Sequence, residues 1–185
     1  MIIRQRDCPL QPWRNGLGRT REIAVQTSPA AAGFRWRVSV AEVDGAAPFS
    51  IFPGIDRSIV LLEGAGFNMT LDGMRQHALT SAFSPFAFAG EARVEVTLVG
   101  GPTRDFNLMT RRSEVCGALR VWREPGTRVM PAAAVLVYCA CGSVATPNGQ
   151  LQAGDAWRPR TLAGATVVLG ADAVALAALV EPCIG

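Results

Sequence analysis

Through most of this chain apolar residues recur at every second position, and no stretch carries a sustained three-to-four spacing that would read as an amphipathic helix. In FRWRVSVAEV, Phe34, Trp36, Val38 and Val40 share one face, while Arg35, Arg37, Ser39 and Ala41 share the other. The segments RSIVLLE, FNMTL, ARVEVTLVG, VLVYCA and TVVLG read as further strands, punctuated by Gly, Pro, Asp-Gly and Asn-Gly. Many short strands with closely spaced turns predict an all-β protein with little helix, built as a sandwich or barrel.

The strands are organised in two copies. LLEGAGFNMTLDG, Leu61 to Gly73, aligns with VYCACGSVATPNG, Val137 to Gly149. Gly66 falls on Gly142 and the hairpin dipeptide Asp72-Gly73 falls on Asn148-Gly149, both offset by 76 positions. Each copy then runs through an apolar segment to Gly plus an acid, Gly90-Glu91 and Gly154-Asp155. This arrangement resembles the cupin pattern, a small antiparallel barrel with a ligand pocket in its mouth. The resemblance implies two cupin-like antiparallel β-barrels: residues 1–112 with the ligand pocket, and residues 113–185 as a smaller, degenerate copy.

Composition removes several functions. A catalytic cupin typically holds a metal with two or three His and a Glu, and this chain has a single histidine, His77. A His-rich transition-metal site is therefore excluded, and no cofactor is expected. The 18 basic residues are all Arg, scattered among 15 carboxylates without a basic block, which argues against nucleic acid. The run AVALAALV is far shorter than the roughly 20 residues a membrane helix needs. The first residues show no apolar leader, so a cytoplasmic protein with no membrane association is expected. Five cysteines without a CxxC pair read as buried structural thiols. A scattered charge pattern neither supports nor excludes a further function, a protein that works through partner surfaces, and a homodimer is compatible with it.

Four segments interrupt the alternation with polar groups beside aromatic ones. PWRNGLGRTREI supplies Pro12, Trp13, Asn15, Gly16, Gly18, Thr20, Glu22 and Ile23. FRWRVSVAEV supplies Trp36, Arg37, Ser39 and Ala41. FSIFPGIDR supplies Phe49, Ser50, Phe52, Pro53, Gly54, Asp56 and Arg57, and DFNLM supplies Asp105, Phe106, Asn107 and Met109. In this order they resemble the HutD/Ves family, bacterial proteins encoded with histidine-utilisation genes and reported to be duplicated cupins. The resemblance covers the four blocks up to Arg112. It departs at Arg14, where the family has Lys, and at Leu17, which interrupts a run of glycines.

The chemistry of these blocks suits a carboxylate. A Gly-rich turn exposes backbone N–H groups, and guanidinium groups supply planar paired donors. Arg37 and Ser39 share a strand face, so an inward Arg37 needs an anionic partner, either a ligand or an internal carboxylate such as Glu22 or Asp105. Asn15, Arg19, Thr20, Glu22, Arg37, Ser39, Ser50, Arg57, Asp105 and Asn107 are expected to converge on one cavity, with Trp13 and Phe52 among its walls. Phe49, Phe52, Phe106 and Met109 read first as core packing, Phe52 being also an expected wall, and His77 reads as a structural or solvated side chain. The leading expectation is a metal-free binding module for a small carboxylate metabolite. The family resemblance points to an intermediate of histidine breakdown, urocanate or formiminoglutamate, and to a role in tuning that pathway. The alternative is a cofactor-free hydrolase or isomerase with Glu22 or Asp105 as general base.

Overall fold

The computed structural model describes residues 1–30, 32–159 and 164–183. Among them the protein is all-β, and its one helical element is the three-residue 3-10 turn Gln5–Asp7. The chain forms two compact units, residues 9–117 with 182–185, and residues 1–8 with 118–181.

The first unit holds a six-stranded sheet. Its spatial order is β2 (Leu10–Pro12), β3 (Gly18–Thr27), β4 (Phe34–Val43), β10 (Thr103–Arg111), β5 (Ile55–Glu63) and β8 (Phe86–Ala89), each antiparallel to its neighbour. A second sheet orders β7 (Arg75–Leu79), β6 (Phe67–Leu71) and β9 (Val94–Leu98). In the other unit one sheet orders β1 (Ile2–Ile3), β16 (Ala156–Trp157), β13 (Ala134–Cys141), β18 (Val174–Pro182) and β11 (Val115–Trp122). Its companion orders β12 (Gly126–Val129), β17 (Thr166–Leu169), β14 (Ser143–Thr146) and β15 (Gly149–Gln152). The first eight residues join the second unit because Ile2 and Ile3 pair with Trp157 and Ala156.

The two units repeat one topology. The path β8-β5-β10-β4 in the first matches β16-β13-β18-β11 in the second, and β7-β6-β9 matches β15-β14-β17. Both aligned dipeptides lie at hairpins. Leu71 pairs with Arg75 around Asp72-Gly73, and Thr146 pairs with Gly149 around Pro147-Asn148. Gly66 and Gly142 sit at φ of 79° and 63°, each one residue before the hairpin's first strand. A Cβ at Gly66 would lie 2.0 Å from the Leu79 carbonyl oxygen, so both the backbone angle and the space require glycine there.

Those corners also correct the expected barrels. The chain leaves β5 through Gly66 and starts a separate ladder, so the sheets are open and each unit is a pair of sheets rather than a closed barrel. Side-chain packing joins what hydrogen bonds do not. Val43, Ile59 and Leu61 of the large sheet cluster with Phe67, Met69, Val94 and Val96 of the small one. A second correction concerns the thiols. Cys116, at the start of β11, and Cys183, just past β18, form a disulfide with their Cα atoms 5.2 Å apart. β11 and β18 are sheet neighbours, a proximity that a separation of 67 residues hides in the sequence.

Candidate functional site

The inner face of the six-stranded sheet changes character along its strands, and the register shows why. Ala41 and Leu61 stand opposite Asp105, Ser39 and Ile59 opposite Asn107, and Arg37 and Arg57 opposite Met109. Toward Val43 and Leu61 this face is apolar and closes the core. Toward Arg37 and Arg57 it is polar and floors a cavity of about 430 Å³.

Four separated segments meet there. The turn before β3 brings Pro12, Trp13, Arg14 and Asn15, and β3 itself brings Thr20. β4 contributes Arg37, Ser39 and Ala41, and β10 contributes Asp105, Asn107 and Met109. The segment leading into β5 adds Pro48, Phe49, Ser50, Phe52 and Arg57. Ten of the twelve expected residues therefore line one cavity: Trp13, Asn15, Thr20, Arg37, Ser39, Ser50, Phe52, Arg57, Asp105 and Asn107. Arg19 and Glu22 do not. Thr20 points inward, so alternation turns Arg19 to the other face, where it meets Glu42 at 3.0 Å and Asp44 at 3.6 Å. Glu22, opposite Ser39 in register, lies outside the lining and accepts a 2.8 Å hydrogen bond from Arg37 Nε. Phe49 and Met109, read from sequence as core, do pack there and also line the cavity. For Met109 the signal was available, since it continues the Asp105–Asn107 face.

The Gly-rich turn is more self-contained than its sequence implies. Gly16 N–H donates to the Trp13 carbonyl at 3.0 Å and Leu17 N–H to Asn15 Oδ1 at 3.1 Å, so neither amide faces a ligand. The turn instead sets Trp13. The indole Nε1 donates to Thr20 Oγ1 at 2.7 Å, and Gly18 lies so close beneath the ring that a Cβ there would approach it to 2.8 Å. The donors that this turn leaves toward the cavity are therefore those of side chains.

Two of those side chains form a buried polar network with Asp105. Arg57, 6% exposed, donates through Nη2 to Asn107 Oδ1 at 2.9 Å, and Asn107 Nδ2 donates to Asp105 Oδ1. The Arg57 guanidinium lies 5.1 Å from the Phe49 ring centre, 5.7 Å from Phe52 and 4.9 Å from Phe88, an aromatic surround that holds a cation by its ring faces. Burial lowers the Arg57 pKa to about 10, opposed by the charge of Asp105 and assisted by Arg37, so the group stays charged at neutral pH. Burial pushes Asp105 up to about 7, against the pull of the Asn107 hydrogen bond and the Arg57 charge. Asp105 Oδ2 and Arg57 Nε are buried without a partner. Arg37 donates through Nε to Glu22, while its two terminal nitrogens donate no hydrogen bond to the described residues. Arg14, exposed at the cavity edge, has no carboxylate partner among them either.

His77 stacks on Phe86 at 3.6 Å between ring centres and does not line the cavity. Among the described residues no group of three or more His, Cys, Asp and Glu is placed to hold a metal ion. No helix of the described residues is long and apolar enough to cross a membrane. The arrangement can therefore bind a small anion between guanidinium donors, with Ser39, Ser50 and Asn107 as neutral hydrogen-bonding groups and Trp13, Phe49 and Phe52 as apolar walls.

Comparison with known proteins places this geometry among relatives. A model of the HutD family matches residues 5–176. An uncharacterised 21.2 kDa Pseudomonas putida protein, from the region 3′ of hutC, is 35% identical over 142 residues, covering 77% of this chain and 74% of that protein. Protein Ves of Citrobacter koseri is 42% identical over 118 residues, which span 63% of this chain and 60% of Ves. The structure of HutD from Pseudomonas fluorescens SBW25, from a formate condition, superposes with a TM-score of 0.86 at 30% identity, covering 100% of this chain and 99% of that one.

Proposed function

The chain belongs to the HutD family, and from that premise we propose that it is a metal-free binding protein for a small carboxylate-bearing metabolite. The observation that carries this reading is the pair Arg37 and Arg57 in one cavity wall, with donor atoms that no described residue satisfies. A carboxylate matches both the charge and the planar geometry of a guanidinium. The volume suits a metabolite of amino-acid size.

In this reading the ligand is an intermediate of histidine degradation, urocanate or formiminoglutamate, and its binding tunes histidine utilisation in the cytoplasm. Support comes from the P. putida relative's position beside hutC. The repeated strand order supports a duplicated cupin module whose first copy keeps the pocket. A second reading draws on one specific feature. Asp105, held near neutrality by burial, has the acidity of a general base, so a cofactor-free hydrolase or isomerase acting on the same carboxylate is the competing function.

One experiment separates them. Each intermediate is mixed with untagged protein, and melting temperature and product formation are followed together. A rise in melting temperature without turnover supports the binding protein, turnover supports the enzyme, and no response to either intermediate overturns the histidine assignment. Elemental analysis of the same preparation is expected to find no stoichiometric Zn, Fe, Mn or Ni.

A further inference from the structure

One atom of the cavity wall is left unanswered by the polar network. Asp105 is 1% exposed, its Oδ1 is engaged by Asn107, and its Oδ2 is buried without any partner. A buried carboxylate oxygen is tolerated when something fills its hydrogen-bonding capacity. Two species can do so here: a donor presented by a ligand, or a proton on Oδ2 that then donates to a ligand's acceptor.

The groups around Asp105 favour the second. Its direct neighbours in register are apolar, Ala41 on β4 and Leu61 on β5. From β5 comes the Arg57 charge, from β4 the Arg37 charge two register positions away, and from β3 Thr20 and the Glu22 carboxylate held on Arg37. The turn before β3 adds Arg14 at the cavity edge. The small sheet packed against the neighbouring Leu61 contributes Phe67, Met69 and Val96, with no charge. The two guanidinium groups in the wall attract an anion, yet an ionised Asp105 repels it. A ligand carboxylate beside Asp105, itself only 1% exposed, cannot stay ionised together with it without strong mutual cost.

We infer that Asp105 is the neutral acid in the occupied site and donates from Oδ2 to the bound carboxylate, so that binding takes up one proton from solvent. This rests on the carboxylate-binding reading above. Burial already holds the empty-site acid at about 7, so the proton is acquired readily near neutral pH, while Arg57 at about 10 keeps its charge. Asn107 fixes the geometry by holding Oδ1, which leaves Oδ2 as the protonated atom. Release of the ligand returns the proton to solvent.

The sign of the pH effect follows by linkage. Below about pH 7 the empty site is already protonated and affinity is flat. Above it, each pH unit is expected to raise Kd by up to about tenfold, because the proton must be drawn from an ever scarcer supply. Calorimetric titration tests this with formiminoglutamate and urocanate between pH 6 and pH 8.5, in two buffers of different ionisation enthalpy, on wild type and Asp105→Asn. The Asn variant donates an N–H at every pH, so its profile is expected to be flat. Subtracting it removes any titration of the ligand itself. Uptake of close to one proton at pH 8 in wild type, absent in Asp105→Asn, is the expected result. A ligand that binds wild type with no proton difference between the two proteins, or more tightly as pH rises, overturns the inference and leaves the binding reading intact. Failure of both ligands to bind removes the reading and the inference together.

Discussion

Arg37 on β4 and Arg57 on β5 are both registered to Met109 on β10, so two guanidinium-bearing residues flank one strand on the same sheet face. Neither reaches this position by loop flexibility. Each is carried by a strand paired on both sides, which is the kind of support a binding group needs. They differ in what already satisfies them. Arg57 is enclosed by Phe49, Phe52 and Phe88 and tied to Asn107, whereas Arg37 gives one nitrogen to Glu22 and leaves its outer end to the cavity.

Arg37→Ala is therefore expected to weaken carboxylate binding by about 2 kcal/mol, roughly 30-fold, through loss of a charge-assisted hydrogen bond. Calorimetry with whichever intermediate binds wild type reads the change. Unaltered affinity would remove Arg37 as an anchor. Glu22→Gln keeps the shape of the partner and is expected to cost much less.

The stability of the fold should carry the signature of Asp105. Its folded pKa of about 7 lies above the ordinary 3.8, so between these values the native state holds a proton that the unfolded chain has lost. Stability from this group is thus present at low pH and falls as pH rises, by roughly 4 kcal/mol once pH exceeds 7. Asp105→Asn removes the dependence. The variant's melting temperature relative to wild type is expected to climb from pH 5 to pH 8, and a constant difference would contradict the assignment.

A second titration works in the opposite sense. Glu91 accepts from the Gly54 amide at 2.7 Å and from Arg112, which also grips Asp56 at 2.6 Å, and together they hold the turn between Phe52 and Arg57. The Arg112 hydrogen bonds, then that from Gly54, hold Glu91 at about 2, below its ordinary 4.5. Its contribution is full above 4.5 and disappears as pH falls toward 2. An NMR titration following the Gly54 amide should move over that interval in wild type and show no such transition in Glu91→Gln.

Gly66→Ala and Gly142→Ala test the repeated corners. Both force a side chain into positive φ, costing about 1 kcal/mol, and both add a clash. The added Cβ meets the Leu79 carbonyl oxygen at 2.0 Å in the first and Asp172 backbone atoms at 2.9 Å in the second. A loss of roughly 3 kcal/mol or more is expected for Gly66→Ala and about 2 kcal/mol for Gly142→Ala. Thermal melts would show the order, and a neutral Gly66→Ala would refute the corner.

What could be read in the sequence was what alternation encodes. Phe34 to Val43 was legible residue for residue as β4, and its polar face led directly to Arg37 and Ser39. Arg19 was misread because the phase of β3 is set by Gly18, whose inward place beneath Trp13 depends on a contact with no local signature. Phe49 packs against the core as read, and its cavity-lining side went unread because an aromatic residue can do both at once. The Cys116–Cys183 pair and the pairing of Ile2 with Trp157 join positions far apart in the chain, beyond the reach of any periodicity. The unpartnered Asp105 oxygen is likewise a property of assembled neighbours and not of the DFN motif.

The disulfide has a topological consequence. Residues 118–181, the bulk of the second unit, all lie between Cys116 and Cys183. The oxidised chain is therefore a lariat: a covalent ring carrying almost that entire unit, with a tail that bears the cavity. A protease that nicks the ring once opens it without freeing a fragment, and the cleaved molecule keeps the mass of the intact one, plus a water, until a reductant separates its pieces.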